Sequence, residues 1–339
     1  MAHLDRAQKA HDPSSTRARQ DDAAPESSVE EPRAQEPDTV PHPLALSSGP
    51  ATPGHPVQPG DQAPRKSRAG RNLPAAIGVG VGLGGLVVLS LFVLEKWLFL
   101  GLVIAAVMVG VWEMVRAVSV QKARPPLVPL LLGAPAMVCL AWFGGAARLP
   151  LGLLGTLLLI FVWRFAEGAA HYQRDVTAGA LIAVYVPFLG SFAALLAYPA
   201  HDGAARVLVT ILAVVLSDTG GYATGVFLGK HPMAPSVSPA KSWEGFAGSI
   251  VWTGAGSAIA LPLLLDDAVW WHGAIFGVAV SIASVLGDLG ESLIKRDLGV
   301  KDMSNLLPGH GGLMDRLDSV LLALPTAYAV LAFLVPWTK

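Results

Sequence analysis

Residues 308–319 read PGHGGLMDRLDS, placing a proline, three glycines, a histidine, two aspartates and an arginine just ahead of an apolar run. Gly309, Gly311 and Gly312 let the backbone approach a phosphate with its amides exposed, and His310 adds a donor. Asp315 and Asp318 follow at i, i+3 with Arg316 between them, so oxygen ligands for a hard cation stand beside a guanidinium suited to phosphate. Such a set can hold metal and polyphosphate. An interfacial loop that only caps the next helix is the simpler alternative.

Three further segments carry related chemistry. In VLVTILAVVLSDTGGYATGVFLGK, residues 207–230, Asp218 lies about a dozen residues from either end. A carboxylate near the bilayer centre costs ~2.5–3.5 kcal/mol on insertion scales, so it normally faces a wet cavity or a cation. The alternative is a packing polar residue beside Ser217 or Thr219, among the small residues Gly220, Gly221 and Gly225. The following loop, KHPMAPSVSPAKSWEG, brings Ser238, Lys241, Ser242 and Glu244 to the start of the next span. Lys241 suits a phosphate and Ser242 suits a helix cap, although a lysine here is also ordinary on the cytoplasmic side. Finally, SVLGDLGESLIKRDLGVKD, residues 284–302, sets Asp288, Glu291, Ser292 and Lys295 at i, i+3, i+4 and i+7, with Arg296 alongside. That spacing is one helical face, explicable in part as a solvated end with intrahelical ion pairs. Asp288, Asp315 and Asp218 come from different segments and are expected to converge on one divalent cation. Mg²⁺ fits this sparse oxygen set, whereas zinc does not, since cysteine is absent here and no histidine pair has metal spacing.

The elements that must position these residues are membrane helices. The chain is 53% hydrophobic and 14% charged, with a mean hydropathy of +0.51, outside the range of soluble enzymes. Residues 1–64 hold 5 Lys/Arg against 10 Asp/Glu, and residues 65–339 hold 19 against 15, so an acidic tail precedes a mildly basic membrane part. The tail lacks large apolar residues and is expected to be disordered. No secretory signal is expected, because nothing apolar begins before about residue 73, and the first span acts as its own insertion signal. Crossing ~30 Å of hydrocarbon takes about 20 apolar residues as helix. Nine stretches qualify or nearly so, at about 73–94, 97–117, 126–146, 149–166, 177–199, 204–229, 245–265, 268–291 and 317–337. The expectation is an all-α polytopic membrane protein: a tail (1–72), five helices (73–199) and a catalytic region of four (200–339). The lone cysteine, Cys139, excludes internal disulfides and reads as a small buried hydrophobe.

With the amino terminus cytoplasmic, 15 of the Lys/Arg beside the spans fall on that side and 4 on the other. This bias predicts nine spans with the carboxyl terminus outside, in the cell membrane. The loops after spans six and eight then share the cytoplasmic side, where nucleotides and Mg²⁺ are available.

At this point the residues resemble a known family. SLIKRDLGVKDMSNLLPGHGGLMDRLD, residues 292–318, is similar to the signature of phosphatidate cytidylyltransferases, the CDP-diacylglycerol synthases. Ser292, Lys295, Arg296, Lys301, Asp302, Pro308, His310, Gly311, Gly312, Asp315, Arg316 and Asp318 all stand where that pattern asks. SDTGGYATGVFLGK and SPAKSWEG resemble its other blocks, so the likeness covers roughly residues 200–337. Two positions depart: Ala240 replaces the first of two usual lysines, and Gly221 stands where alanine is common. The resemblance implies transfer of CMP from CTP to phosphatidate, with Mg²⁺ on Asp288 and Asp315 and a second, monovalent cation such as K⁺ nearby. On this reading Asp218 and Glu291 join the metal set. Lys241, Lys295, Arg296 and Arg316 neutralise phosphate charge with His310 as a donor, and Ser217, Ser238, Ser292, Lys301, Gly311, Gly312 and Asp318 contact substrate. The partners expected are CTP, phosphatidate and the bilayer, with no nucleic acid. The GVGVGLGG face of the first span suits a homodimer contact. A CTP-dependent lipid kinase of the dolichol or phytol type and an ion-coupled transporter are the competing readings. The transporter lacks the repeated halves such proteins commonly show.

Overall fold

A backbone in hydrocarbon must close its hydrogen bonds within itself, and this chain does so with helices. The computed structural model describes residues 73–93, 96–198, 201–304, 306 and 311–337; the acidic tail, with its expected disorder, lies outside the described residues. The elements are α1 (Leu73–Phe92), α2 (Lys96–Ser119), α3 (Leu127–Gly144), α4 (Leu149–Glu167), α5 (Tyr172–Ala183), a π turn (Val184–Phe188) and α6 (Phe192–Ala197). There follow α7 (Gly203–Leu228), a hairpin of β1 (Pro232–Ala234) and β2 (Ser238–Ser242), α8 (Trp243–Leu264), α9 (Trp270–Leu298) and α10 (Met314–Leu334). Among the described residues eight stretches are long and apolar enough to span a membrane, with Tyr172–Ala197 counted as one, and α1 supplies a 20-residue helix where the first of the nine was expected.

Three boundaries differ from the expected spans in ways that matter for the site. α9 continues past 291 to Leu298, because Glu291 and Lys295 pair along it at 3.1 Å, and it stops at Gly299 in the left-handed conformation (φ 69°). α10 starts at Met314, three residues early, so Asp315 and Asp318 both sit in its opening turns. The fifth span is interrupted at Val184–Phe188, where Pro187 supplies no amide and the hydrogen bonds widen to the π pattern.

Side chains sort by solvent as the bilayer demands. Phe165, Phe227 and Phe333 are 80%, 83% and 84% exposed, whereas Met114, Leu130, Ile160, Phe276 and Leu321 are buried between helices. Outward-facing aromatics of this kind belong to the lipid belt. Cys139 lies in α3, half-buried and free. Close approach of α7 and α8 depends on small residues: a Cβ on Gly248 would collide with Thr224, and one on Gly221 with the Ser249 hydroxyl. Ser249 Oγ donates to the Ser217 carbonyl at 2.8 Å, which accounts for glycine rather than alanine at 221.

Arg206, fully buried near the start of α7, holds the other end of the bundle. Its Nη2 lies 2.6 Å from Asp202 Oδ2 and donates to the Val335 carbonyl at 2.8 Å, while its guanidinium stacks 4.7 Å over Trp337. We expect Arg206→Ala to cost about 3 kcal/mol of stability, because it strands a carboxylate and a buried carbonyl. The check is the thermal unfolding midpoint of the purified protein; an unchanged midpoint would remove this clamp from the account.

Candidate active site

A cavity of about 520 Å³ lies among α7, the hairpin, α8, α9 and α10. One wall is polar: Ser217 and Asp218 from α7, Ser238 and Lys241 from the hairpin, Asp288 from α9, and Asp315, Arg316 and Asp318 from α10. The rest includes the apolar side chains Tyr222, Val226, Met233, Phe246 and Val285. Polar and apolar side chains therefore line one space.

Where the sequence predicts a loop after α7, the chain forms a hairpin. It is a short antiparallel pair, Pro232 opposite Ser242 and Ala234 opposite Ser238, with a register shift between them. Glu244 ties it to α8 by accepting from the backbone amides of Lys230 (3.1 Å) and His231 (3.2 Å), with its Oε1 2.5 Å from the His231 ring Nδ1. Arg296 Nε donates to the Val237 carbonyl at 3.2 Å, so Arg296 tethers the hairpin instead of lining the cavity. Ser242 caps α8 as expected, its Oγ accepting from Gly245 N at 3.1 Å. The residue before it, Lys241, reaches across to Asp288, with Nζ 2.6 Å from Oδ2.

The acidic residues separate into two linked groups. Asp288 faces the cavity, paired with Lys241 and approached by Ser292 Oγ at 3.4 Å. Glu291, one turn on, is fully buried and ion-paired with Lys295. Lys295 Nζ lies between Glu291 Oε2 (3.1 Å) and Asp315 Oδ1 (2.9 Å). Asp315 also gathers the loop before α10, Oδ2 accepting from Gly312 N (2.7 Å) and Met303 N (3.1 Å). Gly311 (φ 79°) must be glycine on two counts, since its backbone is left-handed and a Cβ there would lie 2.8 Å from Asp315 Oδ2. Gly287 lets α9 press on α10 at the Asp318 carbonyl, where a Cβ would collide. Asp218 joins from α7, 3.5 Å from Ser319 Oγ, at the limit of a hydrogen bond.

Of the residues singled out in the sequence, Ser217, Asp218, Ser238, Lys241, Asp288, Asp315, Arg316 and Asp318 line the cavity. Glu291, Ser292, Lys295, Arg296, Lys301, Gly311 and Gly312 do not; Lys301 is exposed, and the others act behind the wall through the contacts above. His310, with Pro308 and Gly309, lies outside the described residues. Among the described residues no three of His, Cys, Asp and Glu stand in metal-ligand geometry. The donor set nevertheless suits Mg²⁺: it is all hard oxygen, three aspartates from three helices line one cavity, and Mg²⁺ takes few protein ligands beside water and phosphate. Sequence reasoning missed Glu113 of α2, fully buried against Ser304, Leu313 and Met314, and Ser319, which touches both Asp218 and the cavity. The signal for Glu113 was present, since a lone carboxylate inside an apolar span has the same cost as Asp218.

The cytidylyltransferase family matches residues 75–334 of the chain. The phosphatidate cytidylyltransferase of Mycobacterium bovis is 43% identical over 285 residues, covering 80% of this chain and 92% of that protein. The phosphatidate cytidylyltransferase of Mycobacterium leprae is 42% identical over 79% of this chain and 90% of its own length, and that of Pseudomonas aeruginosa is 32% identical over 79% and 97%. The match runs through every helix that builds the cavity, and the chain belongs to the cytidylyltransferase family, among the phosphatidate cytidylyltransferases.

Proposed function

We propose that the cavity transfers the cytidylyl group of CTP to phosphatidate, giving CDP-diacylglycerol and pyrophosphate. The observation that carries this is a single space lined both by Lys241, Arg316 and four carboxylates and by Tyr222, Val226, Phe246 and Val285. The first set suits a triphosphate and a phosphate headgroup; the second suits the start of two acyl chains whose remainder stays in the bilayer.

In the reaction an oxygen of the phosphatidate headgroup bonds to the α-phosphorus of CTP while the bond from that phosphorus to pyrophosphate breaks. The attacking oxygen is already anionic near neutral pH, so no strong base is needed. The difficulty is repulsion between two anions and charge growth on the leaving pyrophosphate. Lys241 and Arg316 supply positive charge at the wall, and Lys295 holds Asp315 from behind. Asp288, with Asp218, Asp315 and Glu291, would hold Mg²⁺, which when bound neutralises phosphate oxygens and the departing pyrophosphate. Lys241 is paired with Asp288; its ammonium would turn to a bound phosphate and so leave the Asp288 carboxylate to hold the metal. A monovalent cation such as K⁺ is part of the same proposal, supported by the gathering of Asp218, Asp288, Asp315 and Asp318 around one cavity.

The site and the amino terminus are placed on the cytoplasmic side of the cell membrane, with the carboxyl terminus outside, on the 15-to-4 Lys/Arg bias. A homodimer through the glycine face of α1 belongs to the same reading, supported by the open space at Gly82, Gly84 and Gly85. Labelled CTP given to the purified protein with phosphatidate and Mg²⁺ should yield lipid-bound cytidine. Release of free CDP with a phosphorylated lipid would replace this reading by a kinase. Lys241→Ala is expected to raise the KM for CTP about tenfold, the loss of one charge-assisted phosphate contact, with little change in folding. A CTP dependence identical to the parent's would take Lys241 out of the site.

A further inference from the structure

We propose that Glu113 of α2 is a positioning residue for the reaction, setting the start of α10 and so the placement of Asp315 and Arg316; this rests on the cytidylyl-transfer reading above. Glu113 is fully buried in a helix that contributes nothing to the cavity wall. Its carboxylate receives three hydrogen bonds from the segment that joins α9 to α10: Ser304 Oγ at 2.5 Å and Leu313 N at 2.9 Å on Oε1, and Met314 N at 2.7 Å on Oε2. Leu313 and Met314 form the first turn of α10, whose own cap residue offers no side-chain acceptor. Glu113 thus satisfies amides that the helix cannot, and its charge lies at the positive end of the helix dipole. The fit is tight, since a Cβ on Gly312 would lie 2.8 Å from Oε1 and 2.9 Å from Oε2. Gly312 N in turn donates to Asp315 Oδ2. Gly312, Leu313 and Met314 are therefore gripped between two carboxylates, Glu113 from outside the site and Asp315 within it.

Glu113→Gln keeps the size of the side chain and one acceptor oxygen but turns an amide toward Met314 N. In this variant we expect kcat for CDP-lipid formation to fall between about 10- and 100-fold, as misplacement of reacting groups does, with the KM for CTP within about threefold of the parent. Hydrogen exchange should rise in peptides covering 303–314 and stay at parental levels in α7 and α8. Glu113→Ala should show the same pattern more strongly, and if it fails to fold the glutamine variant alone decides. A kcat within twofold of the parent, or exchange that rises throughout the helices instead of in the loop, overturns the proposal. Absence of CDP-lipid formation by the parent chain would sink the functional reading instead, and the exchange measurement would still report on the grip of Glu113.

Discussion

Asp315→Asn leaves the chain inserted in the membrane and lowers CDP-diacylglycerol formation by roughly 10²–10³-fold or more, the scale seen when one charged or oriented group is removed from a transition state. The carboxylate does two things at once. It lines the cavity, and it holds Lys295 Nζ at 2.9 Å, Met303 N at 3.1 Å and Gly312 N at 2.7 Å. An asparagine keeps the shape, loses the charge facing Lys295, and presents an NH₂ to at least one backbone N–H. Membrane extracts should contain the variant at parental levels, because the helices flanking it are set by apolar length. Substantial turnover at saturating Mg²⁺ would refute the metal role given to this residue.

Asp288→Asn is the second large effect, with a similar loss of turnover and a different fingerprint. Here the change releases Lys241, whose Nζ lies 2.6 Å from the lost charge, so CTP binding should survive while chemistry does not. Because Asp288 and Lys241 touch, their variants should be non-additive: Asp288→Asn combined with Lys241→Ala should be scarcely worse than Asp288→Asn alone. Calorimetric titration of CTP into the single and double variants, beside steady-state rates, separates the two roles. Full additivity would mean that the pair has no shared task.

The helices were legible because bilayer thickness sets their length, and eight described spans and α1 fall close to where apolar runs predict them. The cavity wall was legible for a related reason. Asp218 lies within an apolar span and Asp288 follows a long apolar run, so each announced a polar environment, while the glycine-rich motif announced Asp315; all three line one space. What escaped were contacts whose partners lie far apart in the chain. Glu113 and Leu313 are 200 positions apart, and no periodicity couples them. The hairpin escaped because strands of three and five residues in a proline-rich loop carry too little alternation to register. The tie of Arg296 Nε to the Val237 carbonyl escaped as well, because charge shows in a sequence and direction does not. The π turn has no compositional mark beyond Pro187, yet it brings Tyr185 to a buried position with an unpartnered hydroxyl.

The grip of α2 on the α9–α10 segment also limits how the protein can be recombined. A chimera that exchanged residues 73–199 for the equivalent part of a distant relative would keep every cavity-lining side chain and still inherit a misfitted seam, unless the donor carried an acid where Glu113 stands. Sequence drift in the front half of the chain is therefore coupled to the rear half at that junction, as it is where Phe192 packs on Tyr328, however freely its lipid-facing surface varies.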